Sequence, residues 1–586
     1  MHVARNRRTY VAKSGEQRVY ESVLVRRTYR DGGKVRHETL ANLSALPAEA
    51  AAAVEATLKG QRLVPAGQAV TITQSVPHGH VAAVHAMAAR LGLPALLGPA
   101  GRARDLALAL IISRVARPAS KLSTLAWWAD VTLGADLGVA DASTDEIYAA
   151  MDWLASRQDV IEAGLARRHL APEPNPARMA LFDLSSSWLE GSCCPLAARG
   201  YSRDGKKGKL QIEYGLLTDP DGRPVAVRVF PGNTGDPAAF TGIVQVVRDT
   251  FGLRDMVMVG DRGMITSARI AALNQTEDGN PRPDRYGWIT ALRAPAIKKL
   301  MADDGPLQLS LFDEQDLAEI TSPDFPGERL VACRNPVLAA DRARKREDLL
   351  AATEKLLAPL IARVAAGRLA GAGPIGVEAG KVITRYKTAK HFDVTITDDS
   401  LSVTRNQAKI DAEAALDGFY VLRTPIPASE LAAPAVVTAY KNLKYVERDF
   451  RSIKSDDLDL RPVFHHLEER VKAHVLICML ACYLTWHLRK TWAPLTFTDE
   501  NPPAPASPVA PARRSGHAQA KASYQHDPTG RPYHSFRGLL EHLATLTRNQ
   551  VRFTGTPVAI PMLAEPTSAQ REAFELIGVP VPLTLK

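Results

Sequence analysis

The order of strand-like and helical segments between residues 178 and 296 constrains the fold more than any other part of the chain. Three strand-like runs follow one another, M-A-L-F-D-L-S-S-S-W, K-L-Q-I-E-Y-G-L-L-T-D and V-A-V-R-V-F-P, the last two across the turn P-D-G-R-P. Helical and strand-like segments then alternate as far as Y-G-W-I-T-A-L-R. Three hairpin-linked strands followed by helix, strand, helix and strand predict a mixed α/β sheet.

Two aspartates lie on strands of this predicted sheet. Asp183 is inside the first strand, surrounded by apolar residues, and Asp261 ends the apolar strand M-V-M-V-G. A carboxylate within a buried strand is costly unless it is paired or binds a metal ion. Acids at strand ends line the crevice where α/β sheets bind ligands. An aspartate at a strand end is also common as a turn or helix cap, so neither residue alone defines a site.

A third carboxylate lies on a helix predicted from Tyr440 to Lys454, a segment that contains neither Gly nor Pro. Residues seven apart share one face of a helix, which predicts Tyr440, Glu447 and Lys454 on the same side. Arg451 lies one turn beyond the glutamate on that side. Such a face can hold a metal ion at its centre with nucleic-acid phosphates on either side. The alternative is a solvated helix with ordinary charge pairs.

The three acids together suit one type of chemistry. Three carboxylates can hold two hard cations, typically Mg²⁺, about 3.5–4 Å apart. One ion would activate the attacking water or 3′-hydroxyl, and the other would stabilise the leaving oxygen in an in-line phosphoryl displacement. This chemistry needs no protein nucleophile, and the sequence contains no convincing Ser/His/Asp or Cys/His set and no P-loop. Asp183, Asp261 and Glu447 are therefore candidate metal ligands.

The charge of the chain favours nucleic acid as its partner. The 586 residues include 73 Lys and Arg against 63 Asp and Glu, a net charge of +10. Five scattered cysteines indicate a reducing cytosol rather than a disulfide framework. No signal-peptide apolar region and no apolar run near ~18 residues is present. We expect a cytoplasmic, nucleoid-associated protein without a membrane partner.

Shifts in composition divide the chain into further segments. A basic β-hairpin is predicted around Asp31-Gly32-Gly33, and it either binds DNA or forms a solvated sheet. The Ala/Leu-rich helical part that follows either binds DNA ends or serves as a scaffold. The predicted segments are a basic β-hairpin region (1–44), a helical domain (45–175), the first part of the α/β core (176–296), an insertion (297–414), the second part of the core (415–490), a flexible Pro/Ala-rich linker (491–530) and a C-terminal appendage (531–586).

Several motifs together resemble the bacterial insertion-sequence transposases of the DDE class, in the group with the signature Y-x2-R-x3-E-x6-K. The motifs outside the signature are L-F-D-L-S-S-S-W, P-G-N-T-G-D, V-G-D-R-G-M and R-P-V-F-H-H-L-E-E-R-V-K-A-H. Within the signature, Tyr440, Glu447 and Lys454 keep the spacing. The arginine position holds Leu443, with basic side chains adjacent to it.

The resemblance implies a fold and an activity. The fold is of the α/β class: an RNase H-like mixed-sheet core, interrupted before the last acid by an α+β insertion that is rich in β-strands. A β-rich basic part and a helical domain precede the core in the sequence. The activity is cleavage of double-stranded DNA at terminal inverted repeats and strand transfer into target DNA. It requires two Mg²⁺ ions, which Mn²⁺ can replace, and a homodimer in the synaptic complex.

The resemblance also implies DNA contacts at named positions. Tyr440 and Lys454 would contact phosphates near the transferred end. The remaining DNA-binding candidates are Lys444, Arg448, Arg451 and Asn233. Two alternatives remain. An RNase H-like nuclease or resolvase would use the same acids but would not transfer strands. A catalytically silent regulator derived from a transposase would bind DNA without cutting it.

Overall fold

The computed structural model describes residues 1–585 with the exception of 14, 62, 64–68, 175–176, 275–284, 303–304, 313–314 and 555. The strands are β1 (His2–Val11), β2 (Gln17–Asp31), β3 (Lys34–Asn42), β4 (Val70–Pro77), β5 (Met179–Trp188), β6 (Gln211–Thr218), β7 (Pro224–Pro231), β8 (Asp255–Gly260), β9 (Arg285–Ala291), β10 (Leu317–Ile320), β11 (Arg329–Arg334), β12 (Phe392–Ile396), β13 (Leu401–Arg405), β14 (Phe419–Thr424), β15 (Thr547–Phe553) and β16 (Ala559–Leu563).

The helices are α1 (Ala48–Leu58), α2 (Gly79–Arg90), α3 (Leu93–Leu97), α4 (Arg102–Ala116), α5 (Lys121–Trp127), α6 (Thr132–Asp136), α7 (Thr144–Ser156), α8 (Gln158–His169), α9 (Asp236–Gln245), α10 (Ser267–Asn274), α11 (Ala294–Leu300), α12 (Pro336–Ala365), α13 (Ala372–Arg385), α14 (Gln407–Ala414), α15 (Ala433–Lys441), α16 (Leu443–Arg451), α17 (Glu468–Thr491), α18 (Gly516–Tyr524), α19 (Phe536–Ala544) and α20 (Ser568–Ile577). The chain divides into two compact units, Met1–Val76 with Thr547–Ala564 and Pro77–Leu546 with Glu565–Lys586.

The smaller unit contains two antiparallel sheets, β1-β2-β3 and β16-β15-β4. Asp31 pairs with Lys34 across the β2–β3 turn. Gly32 and Gly33 have φ of +56° and +81°, which only glycine adopts readily and which a tight two-residue hairpin turn requires. The predicted hairpin is confirmed. A small core beneath it joins β2 to α1 and consists of Val23, Val25, Leu43 and Ala51.

The larger unit is built on an eight-stranded mixed sheet with the order β10-β11-β14-β9-β8-β5-β6-β7. β5, β6 and β7 are antiparallel neighbours, whereas β8 is parallel to β5 and β9 is parallel to β8. The predicted mixed α/β sheet is confirmed. Nearly every residue of β5 and β8 is buried, as expected for strands that are covered on both faces.

The insertion differs from the separate β-rich piece implied by the resemblance. Its strands β10 and β11 continue the central sheet, because β11 pairs with β14 and β14 pairs with β9. The remainder is mainly helical and consists of α12, α13, α14 and the hairpin β12–β13. The 30-residue helix α12 begins at Asn335, whose side chain accepts a hydrogen bond from the Leu338 N–H.

Helix α17 is the central helix of the larger unit and packs against α4, α7 and β7. Within the described residues it is the one helix long and apolar enough to cross a membrane, and 83% of its apolar window is buried inside the protein, as in a core helix. Helix α7 starts with a capping box formed by Ser143 and Glu146.

The segment from 491 to 530, predicted as a flexible linker from its composition, is largely exposed but is anchored by buried residues that include Trp492, Val509 and Lys521. Helix α18 lies within it, and Asp499 accepts hydrogen bonds from the N–H and the hydroxyl of Ser515, which caps this helix. The segment predicted as an appendage is divided between the two units, since β15 and β16 belong to the smaller unit whereas α19 and α20 pack on α2. The predicted boundary at 175 lies outside the described residues.

Candidate active site

Two of the three candidate acids lie side by side because of the parallel pairing of β5 and β8. Phe182 is opposite Gly260 in this pairing, and Asp183 and Asp261 are the next residues on the two strands. Neighbouring strands are about 4.8 Å apart, so the two carboxylates share one end of the β5–β8 pair. The sheet register therefore brings Asp183 and Asp261 together although 77 residues separate them in the sequence.

The pKa of the Asp183 carboxyl group responds to the charges of both other acids. Burial raises the pKa of Asp183 to about 7. The negative charges of Asp261 and Glu447 act in the same direction, whereas the Arg203 guanidinium and a hydrogen bond of 2.8 Å from the Leu184 N–H favour the ionised carboxylate. The structure thus brings the three predicted carboxylates into one electrostatic neighbourhood.

The donor set of this neighbourhood fits a hard cation. In the part of the chain that the structure describes, no three His, Cys, Asp or Glu side chains are already arranged as a metal-binding group. The carboxylate oxygens are nevertheless the ligands that Mg²⁺ prefers. The raised pKa of Asp183 shows that its negative charge is incompletely compensated by the protein, and a cation among the three acids would supply the compensation.

Tyr440 is placed against the second acid. Its hydroxyl donates a hydrogen bond of 3.4 Å to Asp261 Oδ1. Burial raises the pKa of the phenol, and the Asp261 charge raises it further, so the side chain stays protonated and remains a donor at neutral pH. Tyr440 therefore orients the Asp261 carboxylate.

The predicted single helix from 440 to 454 is interrupted. Helix α15 ends at Lys441, α16 begins at Leu443, and a π-helical turn follows from Ser452 to Asp456. The Asn442 side chain between the two helices donates to the Pro220 carbonyl, a local alternative that asparagine offers to regular helix hydrogen bonding. The seven-residue periodicity consequently does not hold across the whole segment.

Lys454 lies in the π-helical turn and is only 8% exposed. Its ammonium donates a hydrogen bond of 2.8 Å to Asp204 Oδ1, and Arg461 also pairs with this buried carboxylate. Burial lowers the pKa of Lys454, and the Asp204 carboxylate raises it. The structure places Lys454 in a buried ion-pair cluster, whereas the sequence predicted an open surface that faces DNA phosphates.

This position leads to a stability prediction for Lys454→Met. We expect the free energy of unfolding to fall by about 2 kcal/mol, less than for an isolated buried pair because Arg461 still neutralises Asp204. Urea denaturation measures the change, and adding Asp204→Asn to the variant should recover part of it. Unchanged stability combined with weaker DNA binding would instead support the phosphate-contact role predicted from the sequence.

The other predicted DNA-binding residues lie at or near the surface. Lys444 is exposed and Arg448 is half-buried, and their charged groups lie 5.0 and 5.2 Å from the centroid of the Tyr445 ring. Arg451 is exposed on the last turn of α16. Asn233 is exposed in the turn that follows β7. These side chains are accessible to a ligand, unlike Lys454.

A second group of charged residues, which the sequence analysis missed, surrounds Asp183. The Arg203 guanidinium pairs with Asp236 and lies 3.5 Å from Glu213, and burial raises the pKa of Glu213 to about 7. A Cβ added at Gly263 would lie 3.3 Å from Asp236 Oδ2 and 3.9 Å from Asp261 Oδ2, so this glycine leaves the space between the two acids open.

One sequence signal could have indicated this group. Asp236 is the last residue of the P-G-N-T-G-D motif, which was noted as a motif but not as a source of site residues. Arg203 lies in a basic turn and Glu213 in an alternating strand, and neither pattern distinguishes them from surface residues. The two residues are brought to the site by the pairing of β5 with β6. This pairing places Glu213 opposite Ser186, and the Ser186 hydroxyl accepts a hydrogen bond from the Arg203 N–H.

Comparison with known proteins gives one match. Residues 8–68 match the family described as IS1634 family transposase, N-terminal domain. The matched range covers most of the β1-β2-β3 sheet and α1, and contains none of the three candidate acids. None of the curated proteins matches the chain. The match supports an insertion-sequence transposase.

Proposed function

We propose that the protein is a DDE transposase that cleaves double-stranded DNA at the terminal inverted repeats of an insertion sequence and transfers the freed strand into target DNA. The family match at 8–68 supports the general class. The observation that carries the catalytic part is the parallel pairing of β5 and β8, which sets Asp183 beside Asp261. Glu447 completes the set through its electrostatic influence on Asp183.

We also propose that the core of the larger unit is RNase H-like. The supporting feature is the strand order β7-β6-β5-β8-β9. Strands β5, β6 and β7 are antiparallel neighbours, and β8 and β9 run parallel to β5. The two aspartates lie on the two central neighbours of this series. Further support comes from the buried character of β5 and β8, since a rigid, covered pair of strands fixes the separation of the carboxylates that they carry.

The chain's own residues have distinct roles in this proposal. Asp183, Asp261 and Glu447 would hold two Mg²⁺ ions, which when bound supply Lewis acidity and a more acidic attacking water. Tyr440 orients the Asp261 carboxylate by its hydrogen bond. The Arg203 guanidinium limits the repulsion among the acids around Asp183.

The exposed basic face of α16 would contact the DNA. Lys444, Arg448 and Arg451 lie on the same helix as Glu447, so phosphates bound there would be held next to the acids. Leu443 occupies the signature's arginine position and cannot bind a phosphate by charge. Lys444 and Arg448, on the same part of the helix, are basic and would make that contact instead. A homodimer that brings two element ends together, in the cytoplasm, belongs to the same proposal.

The test combines one variant with a strand-transfer assay. Asp261→Ala should reduce cleavage of a labelled element end on the order of 10³-fold, because a metal ligand is lost, while end binding in a gel shift survives. Asp249→Ala, which removes an exposed acid before β8, serves as the matched control. Cleavage by Asp261→Ala at the wild-type rate would contradict the assignment.

The same assay separates the two enzyme classes. A transposase joins the labelled 3′-end to target DNA and produces a longer labelled product, whereas a nuclease or resolvase releases the cut strand. A protein that binds element ends but neither cuts nor joins them in Mg²⁺ or Mn²⁺ would be the DNA-binding regulator.

A further inference from the structure

The helices of the insertion enclose a cleft of about 750 Å³ that is separate from the candidate acids. We call it the insertion cleft. It is formed by residues of α11, α12 and α14 together with the segment that follows α13. Basic side chains outnumber acidic ones among its lining residues, with Lys298, Arg342, Lys345, Arg346, Lys387, Lys390 and Lys409 against Glu413 and Asp417.

Most of this positive charge is not neutralised by the protein. The two acids are already engaged, since Asp417 pairs with Arg346 and Glu413 pairs with Lys390. Lys409 lies 3.9 Å from Asp393. The four remaining basic residues form no ion pair within the described part of the chain: Lys298, Arg342, Lys345 and Lys387. Like charges concentrated in this way repel one another unless a polyanion is present.

The backbone at Lys387 adds an independent observation. Its φ is +59°, the left-handed conformation, which costs a residue other than glycine about 1 kcal/mol or more. The turn is held because the Lys387 N–H donates to the Thr384 carbonyl and the Thr388 hydroxyl donates to the Ile383 carbonyl. The left-handed turn that ends α13 therefore places Lys387 among the residues that line the cleft.

We propose that the insertion cleft binds the phosphodiester backbone of DNA as a contact additional to the catalytic acids. No glycine lines the cleft, so it lacks the close-fitting loop of backbone N–H groups that typically encloses the phosphates of a small ligand. Long lysine and arginine side chains suit the sequence-independent tracking of a DNA strand instead. The inference rests on the proposed function insofar as DNA is the substrate.

The test compares two triple variants of the full-length protein with equal changes in charge. The cleft variant is Arg342→Gln, Lys345→Gln and Lys387→Gln. The control variant is Lys355→Gln, Arg363→Gln and Arg368→Gln, which removes three exposed charges elsewhere on the insertion. Fluorescence anisotropy with a labelled duplex, in Ca²⁺ to prevent cleavage, gives the affinity at each salt concentration.

Three lost phosphate contacts should lower the slope of log affinity against log salt by about 2.7. Between 50 and 200 mM salt, the wild-type affinity should therefore fall about 40-fold more than that of the cleft variant. The control variant should keep the wild-type slope, and the cleft variant should unfold at a temperature no lower than that of wild type, because it removes charges that repel one another. These outcomes would support the proposal.

Other outcomes would overturn it. Equal slopes for the cleft and control variants would show that the charge of the cleft makes no specific DNA contact. A thermal shift with tripolyphosphate that the cleft variant loses, at an unchanged DNA slope, would identify a site for small anions. If the wild-type protein binds no DNA at all, the proposed function fails as well. If it binds DNA with equal slopes, only the cleft proposal fails.

Discussion

Asp183→Asn should abolish DNA cleavage and at the same time stabilise the metal-free protein at pH 8. Under the proposed function, the loss of cleavage, on the order of 10³-fold or more, follows from the loss of one of the three acids proposed to hold the metal ions. The stabilisation follows from the raised pKa of about 7, against an ordinary value of 3.8. A neutral amide avoids the burial of a negative charge, a gain on the order of 2 kcal/mol.

The sign of the pH dependence distinguishes this explanation from a general effect of the substitution. The folded protein binds the Asp183 proton more tightly than the unfolded chain does, so this contribution to stability is fully present below about pH 3.8. It is lost as the pH rises through about 7. The difference in melting temperature between Asp183→Asn and wild type should therefore grow from pH 5 to pH 8, in the absence of metal ions.

Mg²⁺ should reverse the order of stability. Wild type gains stability because the ion binds only the folded state, and the variant gains little. Asp249→Asn, an exposed acid, should follow wild type throughout. Retained cleavage in Asp183→Asn would remove Asp183 from the site, and a melting temperature below that of wild type at pH 8 would contradict the electrostatic account.

Lys521→Met should destabilise the protein by about 3–5 kcal/mol and open the 491–530 segment. The Lys521 side chain is 1% exposed. Its ammonium donates hydrogen bonds to the carbonyls of Ala493, Thr496 and Thr498 and to the Glu500 carboxylate. Methionine has a similar volume but donates none of these hydrogen bonds. The Ala493 carbonyl still accepts from the Thr496 N–H, and the loss of the donor at the other acceptors is costly where they are buried.

Trypsin provides a local measurement beside the urea midpoint. Arg513 and Arg514 are exposed in the same segment, and we expect trypsin to cut there faster when the segment loses its anchor at Lys521. The variant should be cut faster than wild type at native conditions, whereas Lys355→Met, which removes an exposed lysine from α12, should not. Equal cleavage rates for wild type and Lys521→Met would show that the lysine does not hold the segment in place.

The strands of the central sheet and the acids within or directly after them could be predicted from the sequence because both depend on local patterns, whereas the proximity of the two acids depends on the long-range pairing of β5 with β8. Alternating and apolar runs define β5 to β9, and an acid within or at the end of such a run identifies Asp183 and Asp261. The predicted hairpin turn at Gly32-Gly33, which the structure confirms, is equally local.

The features that could not be predicted depend on contacts between residues far apart in the chain. A Pro/Ala-rich composition indicates little burial of apolar surface and hence flexibility. In this segment, however, order depends on polar side chains, since Lys441 at the end of α15 donates to the carbonyls of Val509 and Ala510. The burial of Lys454 likewise depends on Asp204, 250 residues away in the sequence.

The register of β5 has a consequence for how gene copies of this protein lose activity. Side chains alternate between the two faces of a strand, and both faces of β5 are covered by apolar neighbours. Deletion of a single codon between 179 and 182 would shift the strand by one residue and present Leu184 where the Asp183 carboxylate belongs. The sheet would retain its apolar pattern, so such a copy would remain folded and lose only the carboxylate that the proposed function requires.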